Sequence, residues 1–146
     1  MNTDRPRTLA TLGACSLGLL ALSAFAVPAA LAQTKHDAAL KTTTVTVFAG
    51  VPAELAFTLS VKSVPAGKVT FKITNVGVTT HDFEICKNQL VGLGYPNSCV
   101  GTTSKELAPT QSDTISVTLT KGIYEYLCTA PGHANAGMKG ALIVTG

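Results

Sequence analysis

The sequence predicts an all-β protein, a Greek-key β-sandwich of about seven to eight strands preceded by a signal peptide. Three observations carry this expectation. Beyond residue 42, nearly every segment is rich in Val, Ile, Thr, Phe and Tyr with period-two alternation. Turn signals built on Gly, Pro and Asn recur between these segments, and no helical period appears outside the N-terminal region.

The N-terminal region differs in kind. Arg5 and Arg7 precede an uncharged run from Thr8 to Thr34, which contains the small-x-small cleavage pattern Ala30-Leu31-Ala32. Residues 1–32 are therefore expected to be a secretory signal peptide, which makes the product extracytoplasmic, periplasmic or secreted. The alternative is a retained membrane anchor, since the run is nearly long enough to span a bilayer. Leu12-Gly13-Ala14-Cys15 faintly resembles a lipidation box, but the apolar stretch lies mostly after Cys15 instead of before it. Residues 33–42 (QTKHDAALKT) are polar and unpatterned and read as a flexible leader, with His36 a solvated tail residue. Residues 43–146 then form one domain, long enough for a single core, with no stable membrane insertion after cleavage.

Within that domain the expected strands are TTVTVFA (43–49), ELAFTLS (54–60), KVTFKITN (68–75), HDFEIC (81–86), DTISVTLT (113–120), IYEYLC (123–128) and GALIVTG (140–146). The turns are Gly50-Val51-Pro52, Val64-Pro65-Ala66-Gly67, Asn75-Val76-Gly77 and Lys121-Gly122. Alternation assigns faces: His81, Phe83 and Ile85 share one side of their strand, and Tyr124, Tyr126 and Cys128 share one side of theirs, with Glu125 turned to water.

Charge excludes one class of partner. The chain has 11 Lys and Arg against 8 acidic residues, a net charge of +3, and the signs are interspersed without a basic stripe. That is no nucleic-acid footprint.

Three cysteines follow residue 32: Cys86, Cys99 and Cys128. Cys86 and Cys99 enclose a short loop rich in turn residues (KNQLVGLGYPNS), and an oxidising compartment makes them natural disulfide partners. A free-thiol pair is the alternative. Cys86 lies roughly 16 Å from His81 along an extended strand at about 3.3 Å per residue, too far to join a site built on that histidine.

Cys128 remains, in the stretch YLCTAPGHANAGMKG (126–140). Cys128, His133 and Met138 are separated by four residues each, and the spacers TAPG and ANAG are small or turn-forming. A thiolate, an imidazole and a thioether suit copper better than zinc, calcium or magnesium. The fourth donor must come from elsewhere. His81 is the only other histidine beyond the leader, on the inward side of its strand. Two imidazoles and a thiolate in a near-trigonal plane with a weak axial thioether is the geometry of blue-copper electron transfer.

NVGVTTHDFEI, followed some forty residues later by GIYEYLCTAPGHANAGMKGALIVTG, resembles the cupredoxins, the small type 1 blue-copper proteins of the plastocyanin, azurin and rusticyanin kind. The resemblance spans about Thr43 to Gly146. It implies copper ligands His81, Cys128, His133 and Met138, one copper ion, and an exported, monomeric electron-transfer protein rather than an enzyme. It also implies transient redox partners docking near His133, and a structural tyrosine-corner hydroxyl at Tyr124. The alternative function is a periplasmic copper-binding or delivery protein without an electron-shuttle role. One position departs from the pattern: the residue after the upstream histidine is often Asn in plastocyanin and azurin, and here it is Asp82. Its N–H is expected to reach the Cys128 sulfur and its side chain the Thr129 hydroxyl, with a solvated outward residue as the bland alternative.

Overall fold

The computed structural model describes residues 42–92 and 94–146. The expected signal peptide, Cys15 and the leader with His36 lie outside the described residues. No helix among the described residues is long and apolar enough to cross a membrane.

Among the described residues nine strands form two sheets: β1 (Thr43–Ala49), β2 (Phe57–Leu59), β3 (Ser63–Pro65), β4 (Gly67–Asn75), β5 (Glu84–Gln89), β6 (Gly101–Thr103), β7 (Ser112–Leu119), β8 (Gly122–Leu127) and β9 (Lys139–Thr145). The order is β2-β1-β4-β7 in one sheet and β3-β9-β8-β5-β6 in the other. Two pairings are parallel, β1 with β4 and β3 with β9, and the remainder are antiparallel.

Alternation explains the four-stranded sheet well. Val45, Val47 and Ala49 of β1, Val69, Phe71 and Ile73 of β4 and Ile115 and Leu119 of β7 point inward, while hydroxyls line the outside and bond across strands, as in Thr70–Ser116 and Thr74–Ser112. The inward side chains meet Phe83, Ile85, Tyr124, Tyr126, Leu142 and Val144 of the facing sheet in one core. At its centre Phe83 stacks on Tyr126 with ring centroids 5.5 Å apart and meets Phe57 edge-on at 5.3 Å and Phe71 at 5.2 Å. The Tyr124 hydroxyl lies 3.0 Å from the Thr120 hydroxyl, across the tight turn between β7 and β8, which fits the structural role expected of it.

Several expectations require correction. The segment 54–60 is extended only over 57–59, because Glu54 and Leu55 are drawn into a turn. Val64 and Pro65, expected in a turn, belong to β3, a short edge strand that places Pro65 where a missing N–H costs little. The 101–103 strand carries no alternation long enough to read. Strand β5 starts at Glu84, so His81 precedes it, held by a single antiparallel bridge to Leu107.

The outer face of the five-stranded sheet departs furthest from expectation. Glu125 does not face water; it is 1% exposed, and residues 81 to 86 are all buried rather than alternately so. Over Glu125 and Cys86 the segment between β5 and β6 folds back and is fastened by the Cys86–Cys99 disulfide, whereas Asp82 is covered by Thr129 and Glu84 by β6. Cys86, Leu127 and Ala134 form a small apolar cluster there against Cys99. Lys139 reaches from β9 to the backbone carbonyls of Tyr95 and Pro96 and to the Asn97 side chain, pinning the loop from the other side.

Candidate metal centre

Two segments distant in sequence meet at one end of the sandwich. Thr79, Thr80 and His81 follow β4, and residues 128–138 connect β8 to β9. The second segment coils into consecutive turns closed by His133 N–H to Ala130 carbonyl, Ala136 N–H to Gly132 carbonyl and Met138 N–H to His133 carbonyl. The small residues Ala130, Gly132, Ala134, Ala136 and Gly137 allow this tight path, with Gly132 and Gly137 in left-handed backbone at φ of 83° and 106°. Its ends are joined by Cys128 N–H to Met138 carbonyl at 3.0 Å.

The consequence is convergence. Nδ1 of His81 lies 3.2 Å from Nδ1 of His133, Sγ of Cys128 lies 3.4 Å from the latter and 4.0 Å from the former. Bonds of about 2.0–2.1 Å to imidazole nitrogen and about 2.3 Å to thiolate sulfur, as at zinc, would set such donors roughly 3.5–3.8 Å apart in a trigonal plane. The observed triangle brackets that value. Met138 is fully buried and packs in one cluster with Cys128 and Ala49.

The tautomer of His81 points the same way. Its Nε2 lies 3.0 Å from Oε1 of Glu54, an acceptor-only carboxylate, so the ring proton sits on Nε2 and the Nδ1 lone pair faces the sulfur and the second imidazole. A buried lone pair, a thiol and a second ring nitrogen directed at one point are a donor set for a cation.

The family model for the cupredoxin-like domain matches residues 20–144. The chain belongs to the cupredoxin-like family. Among solved structures, this cupredoxin is similar to rusticyanin from Thiobacillus ferrooxidans, with 26% identity and a TM-score of 0.57 over 72% of this chain and 78% of that one. Auracyanin from the photosynthetic bacterium Roseiflexus castenholzii gives 25% identity and 0.53 over 72% and 97%, and auracyanin B gives 26% and 0.57 over 73% and 91%. No curated protein sequence matches the chain.

With the family shown, the donors His81, Cys128, His133 and Met138 of this cupredoxin are arranged as a type 1 copper site. The soft sulfur and imidazole set fits copper, and no carboxylate belongs to it. Burial pushes the metal-free Cys128 thiol up to about 11, although N–H groups of Asp82 and Ala130 donate toward the sulfur and favour the thiolate. A bound cation would supply the missing compensation.

Asp82 is not a solvated residue. It is 4% exposed; Oδ1 accepts the Thr129 N–H at 2.6 Å and Oδ2 accepts the Thr129 hydroxyl. It thereby ties the His81 segment to the Cys128 segment, as the sequence suggested through the hydroxyl.

Two residues of the site went unread in the sequence. Glu54 accepts hydrogen bonds from the Val78 and Thr79 N–H groups, the Thr79 hydroxyl and His81. These donors hold its carboxyl down at about 2, with the Thr79 hydroxyl the largest cause. Glu54 reaches them because Gly50 and Gly77 pass closely: a Cβ at Gly50 would stand 2.4 Å from Gly77 Cα, and one at Gly77 would stand 2.8 Å from the Glu54 carboxylate. The second is Asn75, fully buried at the end of β4. Its amide donates to the carbonyls of Thr79 and Leu107, each at 2.7 Å, and its Oδ1 accepts Gly77 N–H. The Asn-x-Gly turn signal marked Asn75; nothing local marked Glu54.

Proposed function

We propose that this cupredoxin is an exported electron carrier in which His81, Cys128, His133 and Met138 hold one copper ion. The observation that carries the reading is the Nδ1–Nδ1–Sγ triangle drawn from two segments that are each fixed by buried hydrogen bonds. A copper ion bound there supplies one-electron exchange.

The chain's own residues do the rest. Asn75, Glu54 and Asp82 lock the ligand-bearing segments, so the donors keep one arrangement in both oxidation states and little reorganisation accompanies a transfer. The apolar cluster of Ala49, Leu55, Phe57, Ala130 and Met138 keeps water from the sulfur. His133 is partly exposed, the outermost of the four donors, and is flanked by exposed Pro131, Gly132 and Ala136. Val76 and Val78, 46% and 81% exposed, lie at the same end of the sandwich. Such a small uncharged surface suits brief docking of redox partners at His133.

The competing reading, copper binding or delivery without electron shuttling, uses the same ligands; the enclosed thiolate favours the carrier. Copper enzymes of this architecture need a second site with several more histidines, and the whole chain has three. The test is to add Cu(II) to the mature protein and record its visible spectrum and voltammogram. Intense thiolate-to-copper charge-transfer absorption with a reversible one-electron couple is expected. A colourless complex, or one that releases copper on reduction, would overturn the carrier reading.

A further inference from the structure

Glu125 lies in β8, three residues before Cys128, which follows the strand's end at Leu127, and its side chain is on the outer face of the five-stranded sheet beneath the disulfide-closed loop. It is 1% exposed, and neither carboxylate oxygen has a hydrogen-bond partner among the described residues. An ionised carboxylate so placed loses its hydration with nothing in exchange, whereas the neutral acid loses far less.

The groups that face it do not supply the compensation. Across β9, Ala141 is its register partner and Lys139 sits two pairs further on, opposite Leu127, but the Lys139 ammonium is spent on the Tyr95 and Pro96 carbonyls and Asn97. From β5, Glu84 is a second buried acid, already engaged by the Gly101 N–H and Thr103, while Lys87 is exposed. Tyr95 is the one titratable side chain of the covering loop among the described residues. Burial pushes the Glu125 carboxyl up from its ordinary value, and Lys139 only moderates the rise. Beside it a cavity of about 320 Å³, lined by Asn88, Gln89, Ser98 and the Cys86–Cys99 disulfide, also touches Glu125 and opens to solvent.

We propose that Glu125 is a redox-linked proton site: it takes up one proton from solvent through this cavity as the metal centre gains an electron, and returns it on oxidation. The inference rests on the electron-carrier reading. One electron arrives from the redox partner and reduces the metal centre, and one proton comes from hydronium or a buffer acid in the solvent, its bond to the donor breaking as an O–H bond forms on a Glu125 carboxylate oxygen. Three extended residues set the two backbones roughly 10 Å apart, and because the side chains leave opposite faces the carboxyl and the thiolate stand roughly 12–14 Å apart. At an effective dielectric constant of about 20, unit charges that far apart displace one another's titration by about one pH unit.

The experiment compares wild type with Glu125→Gln in two forms. In the metal-free protein, the folded state binds a proton that the unfolded chain has lost, so wild type should lose stability relative to the variant as pH rises from about 4.5 through the raised folded value. Parallel unfolding midpoints across pH would overturn the proposal. In the copper-loaded protein, the wild-type reduction potential should step between two plateaus over about one pH unit and be flat in the variant. The reduced-minus-oxidised infrared spectrum taken within that step should gain a protonated-carboxyl carbonyl band that the variant lacks. A flat wild-type potential on a reversible couple, or an equal step in Glu125→Gln, overturns the linkage alone. Absence of a reversible couple overturns the carrier reading and the linkage with it.

Discussion

Oε1 of Glu54 lies 3.0 Å from Nε2 of His81, 27 positions away in sequence, and the same carboxylate also receives Val78 N–H, Thr79 N–H and the Thr79 hydroxyl. One side chain thus orients an imidazole and shapes the loop that delivers it. Groups in this position behind a metal-bound histidine set its tautomer and its basicity.

Replacing Glu54 by Gln should weaken copper binding by about tenfold to a hundredfold. It should also flatten the acid limb of stability in the metal-free protein. The folded carboxyl titrates at about 2 against an ordinary 4.5, so the stability it contributes is present above the ordinary value and is lost as pH falls toward 2. Competition with a calibrated copper chelator checks the first effect, and denaturation midpoints across acid pH check the second. An acid limb as steep in Glu54→Gln as in wild type would exclude this role.

Asp82→Asn should raise the reduction potential, because the buried carboxylate that holds Thr129 places negative charge beside Cys128 and favours the more positive oxidation state. Voltammetry of the two proteins at one pH is the measurement. A potential that is unchanged or lower rejects the argument.

Substituting Ala for both Cys86 and Cys99 removes a bridge of sequence separation 13 and should lower unfolding stability by about 3 kcal/mol. The visible absorption of the copper form should persist, since neither sulfur belongs to the His81, Cys128, His133 cluster. Urea unfolding of the metal-free protein and an optical spectrum of the loaded one separate the two effects. Loss of the absorption in a folded variant would mean that the covering loop shapes the metal site directly.

Phe83→Ala should cost about 3–5 kcal/mol, the range for emptying a buried aromatic site. Phe83 is fully buried and contacts three other rings, Phe57, Phe71 and Tyr126. A loss below 1 kcal/mol by chemical denaturation would show that those rings collapse into the space.

The strands of the first sheet were legible because one of its faces meets water and the other the core, so Val45, Val47 and Ala49 alternate with Thr44, Thr46 and the half-exposed Phe48 and period two survives in the sequence. The five-stranded sheet hid more. Its outer face is roofed by the segment between β5 and β6, and a residue such as Glu125 carries no local mark of what lies above it. Edge strands as short as Ser63–Pro65 and Gly101–Thr103 exist through their pairing with β9 and β5 and leave almost no periodic trace.

By itself the sequence determined the two-layer β architecture and the donor set, since both follow from side-chain chemistry at fixed spacing: alternation for the strands, and Cys128, His133 and Met138 within one short loop. Only the tertiary structure decided which groups stand behind those donors. Glu54 and Asn75 act through contacts between segments far apart along the chain, the Asp82–Thr129 tie was one of two readings the sequence left open, and Glu125 is buried by a loop joined elsewhere. Such contacts depend on how close two backbones pass, a quantity set by the packing of the whole sandwich and by no local run of residues.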